Sequence, residues 1–297
     1  MQVISHIQAF RDQIHVWRMA GESIAFVPTM GNLHAGHLAL VKEAGKSARR
    51  VVVSIFVNPL QFGPNEDFAA YPRTLDQDLQ QLQNEAVDLV FTPTEPELYP
   101  QGKQEQTKVL LPESLTNILC GATRPGHFTG VATVVLKLFQ IVQPDIAIFG
   151  KKDFQQVAVV RKMVFDLNLP VQIQSIETLR EANGLAMSSR NQYLTEEERL
   201  RASAIYQTMQ SMRDALCRGV VIEVVQQQGK EALVAQGFAV DYVVVRRAAD
   251  LQVAEPRVSQ TGLSRQPEQA LVILVAAKLG KARLIDNLEV LDDGLLV

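Results

Sequence analysis

The chain has 297 residues, 47% of them hydrophobic, and its 29 basic and 32 acidic side chains leave a formal net charge of −3. That length suits one large domain and one smaller one, with enough apolar content to fill real cores. So small a charge excludes general electrostatic attraction to nucleic acid or anionic lipid. Cys120 and Cys217 lie far apart, with no CxxC, no export signal and no apolar run long enough to cross a bilayer. The expectation is a cytoplasmic protein without disulfides, with no nucleic-acid partner and no membrane partner.

The amino-terminal segment carries His6 and His15, expected at the surface. The apolar run Ile24-Ala25-Phe26-Val27 then predicts a strand, and Leu38-Ala39-Leu40-Val41-Lys42-Glu43-Ala44 predicts a helix. Between them stands Pro28-Thr29-Met30-Gly31-Asn32-Leu33-His34-Ala35-Gly36-His37. Two imidazoles and two glycines therefore sit where a strand hands over to a helix. A helix start presents unpaired N–H groups and partial positive charge, and glycine lets a ligand approach the backbone, so phosphate is the first candidate ligand.

The spacing Gly31-x4-Gly36 approaches a P-loop, yet His37 and Leu38 occupy the places of its Lys and Ser/Thr, and no GxGxxG fingerprint is present. A zinc site on His34 and His37 lacks a convincing third ligand. On local sequence alone, either imidazole could simply cap its helix.

Further strands are predicted over 51–57, 87–91, 145–149 and 171–176, with helical spacing between most of them. This βαβ alternation predicts an α/β fold with a doubly wound parallel sheet. The pattern changes after about residue 178. Thr195-Glu196-Glu197-Glu198 forms a capping box, and Ile205, Thr208, Met209, Met212, Ala215 and Leu216 share one face of the helix that follows, which ends near Gly219. Segments 240–246, 270–279 and 282–285 predict a small antiparallel sheet, and 259–269 a surface loop. The expected organisation is a first domain over 1–178 and a smaller α+β domain over 179–297.

Ligands of open α/β sheets bind beyond the carboxyl ends of the strands. Four polar clusters follow predicted strands: 28–37; Asn58-Pro59-Leu60-Gln61-Phe62; Gly150-Lys151-Lys152-Asp153-Phe154-Gln155-Gln156; and 180–190, which ends in Met187-Ser188-Ser189-Arg190. Lys152, Ser188, Ser189 and Arg190 are donors suited to triphosphate oxygens, the guanidinium as a planar fork and the ammonium as a movable point charge. Gln61 and Gln156 are neutral amides, able to orient a carboxylate without quenching its nucleophilicity. Lys151 reads as solvated, and Ser188-Ser189 could equally form a turn before the Thr195 helix. The stretches 61–64 and 121–130 read as loops that could cover a site.

Taken together, these runs resemble the pantothenate synthetase (pantoate–β-alanine ligase) family of the HxGH nucleotidyltransferase superfamily. The resemblance rests on Val27-Pro28-Thr29-Met30-Gly31 with His34-x-Gly36-His37, Phe56-Val57-Asn58-Pro59-Leu60-Gln61-Phe62, Glu66-Asp67 with Tyr71-Pro72-Arg73, Arg124-Pro125-Gly126-His127-Phe128-x-Gly130-Val131, Phe149-Gly150-x-Lys152-Asp153-Phe154-Gln155-Gln156 and Ser188-Ser189-Arg190-Asn191. It covers about 24–287. It implies a Rossmann-like ATP- and pantoate-binding catalytic domain, with the Ser188–Asn191 segment opening the smaller one.

The implied reaction joins pantoate to β-alanine with ATP, through a pantoyl adenylate, releasing pyrophosphate and then AMP. The resemblance implies that Met30, Gly31, Asn32, Leu33, His34, Ala35, Gly36 and His37 line the ATP site, with His37 where the family has a proton donor. Gly150, Lys151, Lys152, Asp153, Leu179, Met187, Ser188, Ser189 and Arg190 would complete that site; His37, His34, Lys152 and Arg190 would carry catalysis. Gln61 would bind pantoate and β-alanine, and Gln156 pantoate, with Asn58, Arg124 and His127 as neighbours. Mg2+ is implied with the triphosphate, no metal site built from protein ligands is expected, and the family implies a homodimer. Asn183 stands where the family has Asp and Gln140 where it has Asn, while 292–297 run past the resemblance.

Overall fold

A computed structural model describes residues 1–64, 66–254 and 270–290; the loop expected over 259–269 and the tail 292–297 lie outside the described residues. The chain divides into two compact units, Met1–Lys151 with Gln155–Glu177, and Lys152–Phe154 with Thr178–Val297. Lys152–Phe154 thus group with the second unit although they fall inside the range expected for the first.

The first unit is built on six strands: β1 (Gln2–Ile4), β2 (Ile24–Thr29), β3 (Arg50–Ile55), β4 (Leu89–Phe91), β5 (Ile146–Gly150) and β6 (Gln172–Ile176). Their order is β1-β4-β3-β2-β5-β6 and every pair is parallel. Helices Ile7–Met19, Ala35–Ser47, Leu75–Asn84, His127–Val142 and Phe154–Asp166 alternate with the strands. Phe26, Val27, Val52, Val53, Leu89, Val90 and Ile148 are fully buried, as expected of strands covered on both faces, whose sequence is a continuous apolar run. The three residues of β1, at the sheet edge, are too few to show periodicity and were not predicted.

From β2 the chain steps outward to β3 and β4 on one side, then returns to lay β5 and β6 on the other. The order therefore reverses between β2 and β5, where ligands of such sheets bind. β2 pairs with β3 along its full length, but with β5 only at Ala25 and Phe26. Pro28, which has no N–H, lies past the β5 ladder and forfeits no bond on that side.

In the second unit β7 (Ala239–Arg247), β8 (Leu271–Leu279) and β9 (Ala282–Val290) form an antiparallel sheet in the order β7-β8-β9. Its core joins Met209, Leu233, Ile273 and Val275 with other apolar residues of the sheet and of helices Ala204–Cys217 and Ile222–Ala235. Two expectations are corrected here, and one helix is added. The helix expected from the Thr195 capping box to Gly219 is two helices, Glu196–Ala202 and Ala204–Cys217, broken at buried Ser203, whose hydroxyl donates to Leu200 O at 2.8 Å. Helix Ile222–Ala235 was not singled out. β9 runs on to Val290, because buried Asp286 and Asn287 interrupt its apolar pattern without ending the strand.

The stretch 121–130 is not an open loop. Cys120–Thr123 forms a helical turn, and helix His127–Val142 begins straight after Gly126, whose φ is +79°. A Cβ on buried Gly121 would come within 1.7 Å of Thr116 O. At 61–64, Phe62 packs edge-on against Phe68 and Tyr71, with ring centroids 5.3 and 5.8 Å away.

Candidate active site

The turn leaving β2 places His34 at the N-cap of helix Ala35–Ser47. His34 Nδ1 accepts from Gly36 N at 3.1 Å, and His37 Nδ1 accepts from His34 N at 3.3 Å, so the two imidazoles form the capping box. Because a backbone N–H only donates, each Nδ1 is unprotonated and the ring proton is assigned to Nε2. Capping thus orients both rings, whose centroids are 4.1 Å apart, at the positive end of a helix.

Gly31 and Asn32 bend the approach to this cap with φ of 78° and 50°. The bend is held by Asp78, only 1% exposed, whose carboxylate accepts from Asn32 N at 2.9 Å, Leu33 N at 2.8 Å and Thr74 Oγ1 at 3.2 Å. A Cβ on Gly31 would lie 3.0 Å from Asp78 Oδ2. Asp78 escaped the sequence reading because its helix, Leu75–Asn84, looks like a solvated polar face.

After β3, a 3-10 turn over Pro59–Gln61 is capped by Asn58, whose Oδ1 accepts from Leu60 N. Buried Asn58 donates through Nδ2 to Gln61 Oε1 at 3.1 Å and to Gly130 O at 3.2 Å, while Tyr99 Oη donates to its Oδ1 at 2.7 Å. Gln61 Nε2 points at Met30 Sδ, 3.0 Å away. The backbone oxygen of Gln61 accepts from His127 Nδ1 at 2.8 Å and from an Arg124 Nη at 3.3 Å. The other Arg124 Nη donates to His127 Nε2 at 3.0 Å, which fixes that ring with its proton on Nδ1. Asn58, Arg124 and His127, expected only as neighbours, each hold the turn that carries Gln61.

Arg124 also forms a two-pronged pair with Glu66, both N···O distances 2.6 Å. Burial pushes the Glu66 carboxyl up, but the Arg124 hydrogen bonds and charge outweigh it and hold the group below its ordinary range. Helix His127–Val142 comes so close that a Cβ on Gly130 would lie 2.2 Å from Leu60 O. Of the two adjacent glutamines, Gln155 is buried and committed to Cys120 N, Leu115 O and Ile118 O. Gln156 is half-buried and makes no hydrogen bond among the described residues, which leaves its amide for a ligand.

Lys151 is paired with Glu177, which is 81% exposed, while the Lys151 side chain itself is 23% exposed. Lys152, Ser188, Ser189 and Arg190, expected as phosphate donors, belong to the second unit. Lys152 Nζ lies 3.4 Å from the Asp153 carboxylate, and its backbone oxygen accepts from Asn287 Nδ2 at 2.9 Å. Residues 179–187 double back as a hairpin, with Met187 N donating to Leu179 O at 3.0 Å and Arg180 bridging to Ala186. Asn183 Oδ1 accepts from Leu185 N at 3.1 Å, the turn bond an Asp would make, and Nδ2 adds a bond to Arg199 O at 3.3 Å. Ser188 caps the 3-10 segment Ser189–Tyr193 by accepting from Arg190 N at 3.2 Å, so the turn reading is correct for its hydroxyl. Buried Asn191 donates to Glu181 Oε1 and Ala186 O, tying that segment to the hairpin.

Among the described residues no group of three or more His, Cys, Asp or Glu is placed to hold a metal ion, and no helix is long and apolar enough to cross a membrane. Cys120 is buried, Cys217 is exposed, and neither is in a disulfide.

The family model for pantoate-β-alanine ligase matches residues 2–289. A pantothenate synthetase from Shewanella sp. strain MR-7 is 55% identical over 284 residues, which is 96% of this chain and 97% of the relative. Among solved structures, a pantothenate synthetase from Thermus thermophilus shares 43% identity with a TM-score of 0.88, covering 98% of this chain and all of the other. A Francisella tularensis pantoate-β-alanine ligase in complex with an ATP compound and β-alanine shares 35% identity with a TM-score of 0.77, covering 97% of both chains.

Proposed function

The chain belongs to the pantoate–β-alanine ligase family and is an ATP-dependent ligase joining pantoate to β-alanine, and we propose that it works through an acyl-adenylate. In the first step a pantoate carboxylate oxygen attacks the α-phosphorus of ATP in line, the bond to the bridging oxygen breaks, and pyrophosphate leaves. In the second, the neutral amine of β-alanine attacks the acyl carbon and AMP departs, its phosphate taking the amine proton.

The observation that carries this reading is the capping box of His34 and His37, whose Nδ1 contacts orient both rings at a helix start, with the ring proton on Nε2, beside residues 30–33. Such donors, already oriented, stabilise charge on phosphate oxygens without reorganising. Lys152, Ser189 and Arg190 follow the charge as it passes to pyrophosphate, and Gly150, Leu179 and Met187 complete the nucleotide contacts. Gln61 Nε2 holds the carboxylates of pantoate and β-alanine, and Gln156 that of pantoate.

Magnesium enters as MgATP. An ion bound mainly by triphosphate oxygens and water needs only one or two protein carboxylates, and Asp153 beside Lys152 is one. Two cysteines outside any disulfide suit a reducing cytoplasm, and the family resemblance supports a homodimer, which light scattering in solution would test.

The route is tested by supplying substrates in turn. ATP with pantoate alone is expected to release pyrophosphate, and AMP is expected only once β-alanine is added. Pyrophosphate release that requires the amine would rule out the stepwise route.

A further inference from the structure

We propose that Tyr99 is a positioning residue for substrate binding: through Asn58 it holds Gln61 with the amide NH2, not the oxygen, facing the carboxylate substrates. The inference rests on the reading of Gln61 as their contact. A primary amide is nearly symmetric in shape, so packing alone does not decide which end a substrate meets; hydrogen-bond partners decide it.

Here the partners leave one solution. Leu60 N can only donate and lies on Asn58 Oδ1 at 3.3 Å; Gly130 O can only accept and lies on Nδ2 at 3.2 Å. Asn58 therefore presents Nδ2 to Gln61, whose Oε1 must accept at 3.1 Å, and Nε2 is turned outward onto Met30 Sδ at 3.0 Å. A thioether is a weak acceptor, so a carboxylate oxygen taking its place strengthens the bond. The reversed amide would set an oxygen against the carboxylate.

Tyr99 makes the short contact of this chain, 2.7 Å from its hydroxyl to Asn58 Oδ1, where both backbone contacts of Asn58 are at the long end of the range. The phenol is 2% exposed, edge-on to Phe56 with centroids 6.0 Å apart, and lies under Lys137 at 5.0 Å. Burial, with Glu95 adding to it, pushes the phenol above its ordinary range, so it stays a donor. Without it, buried Asn58 is held in this orientation only by its two long backbone bonds, and its hold on the Gln61 amide loosens.

The test is Tyr99→Phe, which removes one oxygen and keeps the ring. KM for pantoate and β-alanine is expected to rise about three- to tenfold, the value of one buried hydrogen bond, with KM for ATP nearly unchanged. In a Gln61→Ala background the same substitution is expected to add nothing, because the group it positions is gone. Unchanged KM values in Tyr99→Phe, an equal rise for ATP, or the full loss persisting in the Gln61→Ala background would each overturn the proposal. If Tyr99→Phe does not fold, Asn58→Asp decides: it sets a carboxylate against Gln61 Oε1 and must raise the same two KM values only while Gln61 is present. Gln61→Ala with normal KM for both carboxylates would instead remove Gln61 as the contact, and the role of Tyr99 with it.

Discussion

His37 and Lys152 are expected to act on transition-state charge, not on folding. His37→Ala or Lys152→Ala should lower kcat/KM by about 10²- to 10³-fold with a normal thermal unfolding midpoint. Near-normal turnover in either variant would remove that residue from the chemistry. Gln61→Ala should raise KM for pantoate and β-alanine more than for ATP, which steady-state kinetics with each substrate varied would check. The imidazole pair and the glutamines were legible because their chemistry follows from residue type and spacing over a few positions. Asp78 and Tyr99 were not, and Glu66 stood among the runs of the resemblance without a role, because each reaches its partner across 41 to 58 residues of chain. Glu66 carries a pH consequence. Its carboxyl lies below its unfolded value, so its contribution is full above the ordinary carboxylate range and is lost as pH falls through the folded value. The Arg124 grip should therefore hold unchanged through neutral pH and release only in acid, below the ordinary carboxylate range, visible as a drop in Tm that Glu66→Gln lacks.

Elements that bury both faces were readable as apolar runs, and β2 to β6 all appear within two residues of where sequence placed them. Failures came where a polar residue interrupts an element from inside, as Ser203 does in the helical stretch and Asp286-Asn287 do in β9. The glycines of the 121–130 stretch misled in the opposite sense. They mark close approach as well as turning: Gly130 lets helix His127–Val142 lie against the backbone of Leu60. Gly130→Ala puts a methyl 2.2 Å from a carbonyl oxygen that cannot step aside. It is expected to cost about 1–3 kcal/mol of stability and to raise KM for the two carboxylates together, by shifting the Pro59–Gln61 turn. A stable variant with unchanged KM would show that the turn tolerates the shift.

Each unit has its own core, and in the second the charged centre is the Arg180–Asp286 pair, with contacts of 2.6 and 3.0 Å and side chains 16% and 4% exposed. Removing one partner strands the other, so Asp286→Ala should cost about 3–5 kcal/mol and lower Tm accordingly. Asn287, next in β9, holds the Lys152 backbone, so Lys152-dependent activity should fall with it. The two-domain α/β and α+β plan was visible in the change of periodicity near residue 178; the grouping of Lys152–Phe154 with the second unit was not, because it depends on contacts with residues more than a hundred positions away. That His37 and Arg190 serve one adenylation step is tested by single-turnover release of pyrophosphate from ATP and pantoate, without β-alanine, in His37→Ala and Arg190→Ala. Both variants are expected to slow this release by about 10²- to 10³-fold. Normal pyrophosphate release in Arg190→Ala, with loss confined to the amide-forming step, would contradict it.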